Sequence, residues 1–464
     1  MRIRRHLLFP VLLSTLLAAA VAAEKDSVSS LAAYFETSGP QGRRELAAAA
    51  ERDGVPIERL AAQLHGLPLW PQLAPGRHEM EVEVGFGQRR RVTLQVPRGY
   101  KPEKAWPLIL CYHPSGLDGP SFLSQCHGML GPDADRYLLA APTDYRQTRL
   151  DSPPPFTPEH PAVLRAIKEK LHVDSDRVFA VGYSMGGHAS WALALLHPDL
   201  LAGAMALAST IAIPGDLAGG WEKVAPNLAG LPLVHLWGEK DDLDQPGFEG
   251  RNQKAGTMAS INGEFSALLP RLGLENLRER RLAGIGHLDA SPKPGDLAKL
   301  LKNKRQPWPK RVGHVFRHLH QGSAFWLEAL DWQGAGWFDF QREVAPAEGE
   351  TLPQAYGRIF LPLLGELRGE VTGQKIKVES RHVAELVVWL SPELIDFAQP
   401  IEIELDGKKV FAGKLEPSLA VALAHAERKR DFERLPWAGV RIDAAGNATA
   451  VDGAMAFPAL IRQP

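Results

Sequence analysis

The chain has 464 residues, too many for one average domain, so two globular units with smaller additions are expected. Hydrophobic residues make up 45% and charged residues 23%, as in a soluble globular protein that buries a large core. Formal net charge is −1 with no long run of one sign, which argues against long-range steering of nucleic acid or of an anionic membrane surface.

The first residues read as an export signal. Arg2, Arg4 and Arg5 form a positive start, Leu7 to Ala20 is almost entirely apolar, and Ala20-Val21-Ala22-Ala23 offers the small residues a signal peptidase cuts. The apolar run is shorter than the ~20 residues a membrane span needs, and Pro10 interrupts it. Residues 1–23 are therefore expected to be removed, leaving a mature protein that is periplasmic or secreted and has no membrane association. Export permits a disulfide between Cys111 and Cys126, the only two cysteines. The setting of Cys111 in Leu108-Ile109-Leu110-Cys111-Tyr112 better suits a buried free thiol, though the sequence cannot supply the Cα geometry that would decide between the readings.

Residues 24–75 carry helix formers such as Glu45 to Glu51 and Ile57 to Leu64, punctuated by Gly and Pro, and read as a small helical arm. From His78 the period changes to two: His78 to Val84 and Arg91 to Pro97 flank a turn at Gly85 to Gly87, the pattern of an antiparallel hairpin. Apolar runs then alternate with helical stretches. The strands are expected at Trp106 to Tyr112, Tyr137 to Pro142, Arg177 to Gly182, Leu201 to Leu207 and Leu231 to Trp237, with helices at Pro161 to Leu171 and Gly187 to Leu196. This alternation predicts a mostly parallel α/β sheet with helices on both faces, over residues 76–302. Residues 303–312, with Pro307, Pro309 and four basic side chains, read as a linker. Beyond it, Glu379 to Leu390 and the Asp406-Gly407 turn between Ile401 to Leu405 and Lys409 to Leu415 predict a separate β-rich domain over 313–464.

The chemistry concentrates at Gly182-Tyr183-Ser184-Met185-Gly186-Gly187, a G-x-S-x-G pattern between a buried strand and a helix. A serine hydroxyl is a weak nucleophile until a base removes its proton, and this turn lifts Ser184 out of the sheet. The Met185 N–H at the helix start is the first oxyanion donor; Ser115 in His113-Pro114-Ser115-Gly116 is the second, with Gly116 as the alternative, because Pro114 has no N–H. An acid and then a histidine should follow in chain order. Asp241 in Gly238-Glu239-Lys240-Asp241 is the chosen acid, ahead of Asp242 and Asp244. His287, between Gly286 and Leu288, is the base, since among 16 histidines it alone combines chain order with a loop setting. His235 reads as a buried strand residue and His188 as a pocket-lining one. Alternation along a strand would put His314, His318 and His320 on one face, a possible metal site or, more commonly, a half-buried polar face; neither a metal nor a cofactor is assigned. Asn447-Ala448-Thr449 fits a glycosylation sequon by pattern alone.

Leu108 to Gly116, Asp176 to Gly187, Gly238 to Asp241 and Gly286-His287 together resemble secreted bacterial α/β-hydrolases. The similar groups are polyhydroxybutyrate-depolymerase and feruloyl-esterase-like esterases, with phospholipase/carboxylesterase and prolyl-oligopeptidase catalytic domains. The resemblance covers about residues 76 to 300. It implies an α/β-hydrolase fold and cleavage of a small-molecule or polymer-attached ester by a Ser-His-Asp triad through an acyl-enzyme. His113-Pro114 departs from the His-Gly usual in the family, which bears on the second oxyanion donor. Alternatives are a peptidase with the same triad and a non-catalytic binding protein on the same fold. For the C-terminal domain, Trp326, Trp332 and Trp337 read first as core residues, with stacking on a carbohydrate surface the alternative.

Overall fold

The computed structural model describes residues 29–37, 39–145, 159–211, 218–243, 256–333 and 344–453. The expected signal peptide at 1–23, the alternative acid Asp244 and Trp337 lie outside them. No helix among the described residues is long and apolar enough to cross a membrane.

An eight-stranded sheet holds the first half of the chain. Its strands are β1 (Gly76–Gly85), β2 (Gln88–Val96), β3 (Trp106–Tyr112), β4 (Leu138–Pro142), β5 (Val173–Tyr183), β6 (Gly203–Leu207), β7 (Leu233–Gly238) and β8 (Leu277–Leu282), in the order β1-β2-β4-β3-β5-β6-β7-β8. β1 and β2 pair antiparallel, β2 runs antiparallel to β4, and every pairing from β4 to β8 is parallel. This is an α/β-hydrolase sheet. Parallel strands must be covered on both faces, and alternation along β3, β5 and β6 does this. Leu108, Leu110, Val178, Ala180, Ala204 and Ala206 face one core; Ile109, Cys111, Phe179, Val181, Met205 and Leu207 face the other.

Helices in chain order are α1 (29–36), α2 (Pro40–Arg52), α3 (Leu60–His65), α4 (Gly119–Leu130), α5 (Glu159–Lys170), α6 (Met185–Leu196), α7 (Gly220–Val224), α8 (Met258–Leu272), α9 (Pro294–Leu300), α10 (Leu352–Phe360) and α11 (Leu419–Lys429). The first core takes Val163, Leu164 and Ile167 of α5, Trp191 of α6 and Phe265 of α8. The second takes Phe122 and Leu123 of α4 with Leu297 and Leu300 of α9. Each such side chain, fully buried, contributes ~1.5–3 kcal/mol. Cys111 and Cys126 are both buried here as free thiols.

The second half is a β-sandwich of two five-stranded sheets. One has the order Ser323–Ala324, Leu327–Trp332, Val383–Leu390, Ala438–Asp443, Ala448–Ala450; the other runs Lys408–Gly413, Ile401–Leu405, Lys375–Arg381, Gly365–Thr372, Arg311–Phe316. Leu327, Leu386 and Val440 of the first meet Leu367, Ile376 and Ile403 of the second in one buried cluster. Trp326 is part of that core, 0% exposed, and its indole N–H donates to the Pro309 carbonyl (2.7 Å), which removes it from any sugar-stacking surface.

One expectation changes. The 303–312 segment is no loose linker: Arg305, buried, pairs with Asp176 (2.9 Å) and Asp431 (2.6 Å), and Trp308 is buried beside it. Arg434 adds a buried pair to Asp199 (2.7 Å), so a charge network crosses the seam between the sheet and the sandwich. The packing of the helical arm, which the sequence left open, involves the C-terminal half of the chain. Leu31, Ala47, Ala50, Leu60 and Leu64 pack against Leu419, Ala422, Leu423 and Ala426 of α11. First and last parts of the described chain thus share a core.

Candidate active site

β5 runs straight into α6 through Ser184, whose backbone sits at φ 52°, ψ −117°. That is a strained conformation for a residue with a Cβ, held by its surroundings. The Ser184 N–H donates to the Leu207 carbonyl (2.8 Å), and its carbonyl accepts from the His188 N–H (3.0 Å). The turn is possible because Gly182 and Gly186 lack side chains. A Cβ on Gly182 would overlap the Gly186 carbonyl, and one on Gly186 would overlap the Tyr112 carbonyl at the end of β3. Ser184 is 8% exposed.

The structure brings Ser184, His287 and Asp241 together. Ser184 Oγ lies 2.9 Å from His287 Nε2, and His287 Nδ1 lies 2.8 Å from Asp241 Oδ2. With Nδ1 protonated the imidazole donates to Asp241, and its Nε2 lone pair faces the serine hydroxyl. Asp241 is 0% exposed, whereas Asp242 beside it is exposed, which gives Asp241 the place at the histidine. The two loops that bring acid and histidine together lock onto each other. Lys240 N–H donates to the Ile285 carbonyl (2.8 Å), and the Gly284 N–H donates to the Glu239 carboxylate (3.1 Å). That backbone donor, with Arg281, holds the Glu239 carboxyl below its ordinary range.

Tyr183 and Glu239 are supporting residues that the sequence reading passed over. The Tyr183 hydroxyl donates to the His287 carbonyl, and its ring stands edge-on to the imidazole with centroids 5.8 Å apart. Burial, with Asp241 nearby, pushes the Tyr183 hydroxyl up to about 12, so it stays a donor at neutral pH. Both sit inside the quoted motifs, directly before Ser184 and two residues before Asp241; position next to a motif was the available signal.

Met185 opens α6, where helix N–H groups point outward unpaired. Ser115 stands exposed on the loop after β3, and its hydroxyl donates to Met185 Sδ (3.5 Å), so the side chains of the two residues meet. Gly116, the alternative, follows at φ 81°. The Tyr145 hydroxyl donates to the His113 carbonyl and the Asp118 carboxylate caps α4 through the Ser121 N–H (3.0 Å), fixing both ends of this loop.

The remaining histidines fall elsewhere. His235 is buried on β7 with Nε2 against the Ser209 carbonyl (2.9 Å), and His188 Nε2 accepts from the Thr210 N–H (3.2 Å). The one-face arrangement of His314, His318 and His320 does not occur. The strand ends at Phe316 and Leu319–Gln321 forms a 3-10 turn, so His318 and His320 stack on each other (5.7 Å) while His314 faces the Gln321 carbonyl (2.6 Å). Among the described residues no group of three or more His, Cys, Asp or Glu is placed to hold a metal ion.

Residues 160–280 match the Esterase family model, described as "Putative esterase". No curated protein matches the chain. Among solved structures the chain is similar to a thermostable esterase (18% identity, TM-score 0.38, covering 49% of this chain and 63% of that one). It is also similar to a ferulic acid esterase from Anaeromyces mucronatus (13%, 0.35, 52% and 94%). A third is Porphyromonas gingivalis dipeptidyl peptidase 4 (14%, 0.35, 50% and 36%). The chain thus spans less than two thirds of the thermostable esterase and about a third of the peptidase. The fold is that of an α/β-hydrolase. The segment that matches the esterase model carries Ser184 and Asp241.

Proposed function

We propose that this protein is an exported serine hydrolase of carboxylic esters, acting through Ser184, His287 and Asp241 and an acyl-enzyme. The carrying observation is the continuous hydrogen-bonded line from Ser184 Oγ through His287 to buried Asp241. In this reading His287 Nε2 takes the Ser184 proton as Oγ attacks the ester carbonyl. The N–H groups of Met185 and Ser115 receive the oxyanion, each donor contributing ~3–4 kcal/mol. His287 then protonates the departing alcohol, and a water that it deprotonates releases the acid. Asp241 stays ionised and holds the ring's tautomer throughout.

An ester with an apolar body suits the surroundings. Large apolar side chains are left exposed at Leu117, Leu243 and Leu288, on the loops of the oxyanion candidates, the acid and the histidine. Leu288 is 84% exposed directly after His287. Export is supported by the charged, apolar and small-residue sequence of 1–23.

The test is hydrolysis of nitrophenyl esters from acetate to palmitate beside a peptide amide, by wild type and Ser184→Ala. Ester turnover that disappears in the variant is the expected result. Amide turnover equal to or above ester turnover would replace the proposal with a peptidase, and no turnover by a folded wild type would refute it.

A further inference from the structure

A cavity of about 400 Å³ lies at the seam between the α/β sheet and the sandwich. It is walled by the end of β1, by α5, by the segment after α6 and by α11. Ser184 precedes the first residue of α6 and His197 follows its last; the 12-residue helix places them ~18 Å apart. The cavity is therefore separate from the triad.

Its charge is one-sided. Four cationic side chains line it, Arg165, Lys168, Arg428 and Lys429, against two carboxylates, Glu83 and Asp199. Asp199 is engaged by Arg434 (2.7 Å). Arg165 is engaged by Glu169 (2.9 Å) and Arg428 by Glu328 (2.5 Å), while Lys429 reaches Ser323 (3.2 Å). Lys168 differs from these. It is 4% exposed and makes no hydrogen bond among the described residues, although Asp431 and Glu433 lie near enough to favour its charged form. His197 Nε2 and His320 Nε2, both buried and both on the cavity wall, likewise have no partner there. Two buried imidazole nitrogens left unpaired, beside a cation that no hydrogen-bond acceptor meets, carry a desolvation cost that a ligand's acceptor atoms would offset. Val84, Pro161, Leu164 and Leu200 add apolar wall. Burial lowers Lys168 from its ordinary value and brings His320 down to about 4, so at neutral pH the imidazole is an uncharged ring able to donate from Nε2.

We propose that this cavity binds a small organic anion, a carboxylate or phosphate monoester with an apolar body, its charged end on Lys168, His197 and His320 and its body on the apolar wall. The volume falls in the range of small-molecule sites, and the pairing of apolar lining with few convergent polar groups is their usual make-up. Nothing in the triad chemistry uses these residues, so the site serves binding rather than ester cleavage.

The experiment uses the full chain and four probes: benzoate, phenyl phosphate, inorganic phosphate and uncharged benzyl alcohol. Calorimetry and thermal unfolding are followed for wild type and Lys168→Met, which keeps the volume and removes the charge. One or both aromatic anions should bind wild type, benzyl alcohol should not, and Lys168→Met should weaken binding by about thirtyfold or more while ester turnover is unchanged. Benzoate without phenyl phosphate identifies a carboxylate site, and the reverse identifies a phosphate site. Wild-type protein with ¹³C-labelled histidine supplies a readout that needs no variant: the His197 and His320 resonances should move on addition of the anion. Absence of anion binding, or equal binding by Lys168→Met, overturns the proposal, as does binding of inorganic phosphate alone with those resonances unmoved.

Discussion

Replacing Asp241 by Asn tests the proposed mechanism most sharply, because it changes one atom in a site that is 0% exposed. The carboxylate sits 2.8 Å from His287 Nδ1, so the charge centres of the pair are about 4 Å apart once the ring is protonated. At an effective dielectric constant near 20 that attraction is about 4 kcal/mol, or about a thousandfold in rate. Asparagine also presents N–H to Nδ1, which favours the tautomer with its proton on Nε2, facing Ser184; together these predict a fall in kcat of about 10⁴. The assay is nitrophenyl acetate hydrolysis near pH 7.5, with KM little changed and the unfolding midpoint followed as a control. Asp242→Asn, on the exposed neighbour, should stay within about twofold of wild type. Asp241→Asn within tenfold of wild type, or an equal loss in Asp242→Asn, would refute the reasoning.

Gly186→Ala forces a methyl group into the Tyr112 carbonyl, so turnover should collapse and unfolding free energy fall by about 1–3 kcal/mol, measured by denaturant titration. Tyr183→Phe removes the donor to the His287 carbonyl; kcat should fall about three- to tenfold with KM unchanged, as expected of a positioning residue. Asp431→Asn leaves buried Arg305 short of its partner and should cost about 3–5 kcal/mol in unfolding free energy. The same pair sets an acid limit. Arg305 and Lys168 hold the Asp431 carboxyl well below its ordinary value, so its contribution is complete above the unfolded value of 3.8 and is lost as pH falls below that toward the folded value. Wild type should therefore lose stability below about pH 4 with a steeper slope than Asp431→Asn, as read from unfolding midpoints across an acid series.

The parts of the fold that were legible in the sequence were those with local pattern. His78 to Val84 and Arg91 to Pro97 alternate strongly enough to give β1 and β2, and the apolar runs at Leu108 and Val178 can only be strands covered on both faces. β8 was missed because Leu277-Arg278-Glu279-Arg280-Arg281-Leu282 is the sheet's edge and stays largely polar. The basic segment around Arg305 reads as a solvated linker until Asp176 and Asp431, remote in sequence, arrive beside it. In the site, Ser184 and His287 stand in motifs whose small neighbours advertise the turn. The choice among Asp241, Asp242 and Asp244 depends on which side chain points inward, a tertiary property that three neighbouring carboxylates cannot express. The seam cavity had no local signature at all, since its lining comes from β1, α5, the end of α6 and α11.

The shared core of α2, α3 and α11 sets a timetable for folding. Leu60 and Leu423 are both 0% exposed in one cluster, yet more than 300 residues separate them in the chain. A chain delivered from its N-terminus presents α3 more than 300 residues before α11. Through that interval the arm's apolar face has no native partner, and the non-local contact makes its closure a late event. The arm is thus a clasp that fastens only once α11 has been delivered, and trimming the chain before Leu419 should expose the arm to proteolysis while leaving the eight-stranded sheet's own cores unaltered.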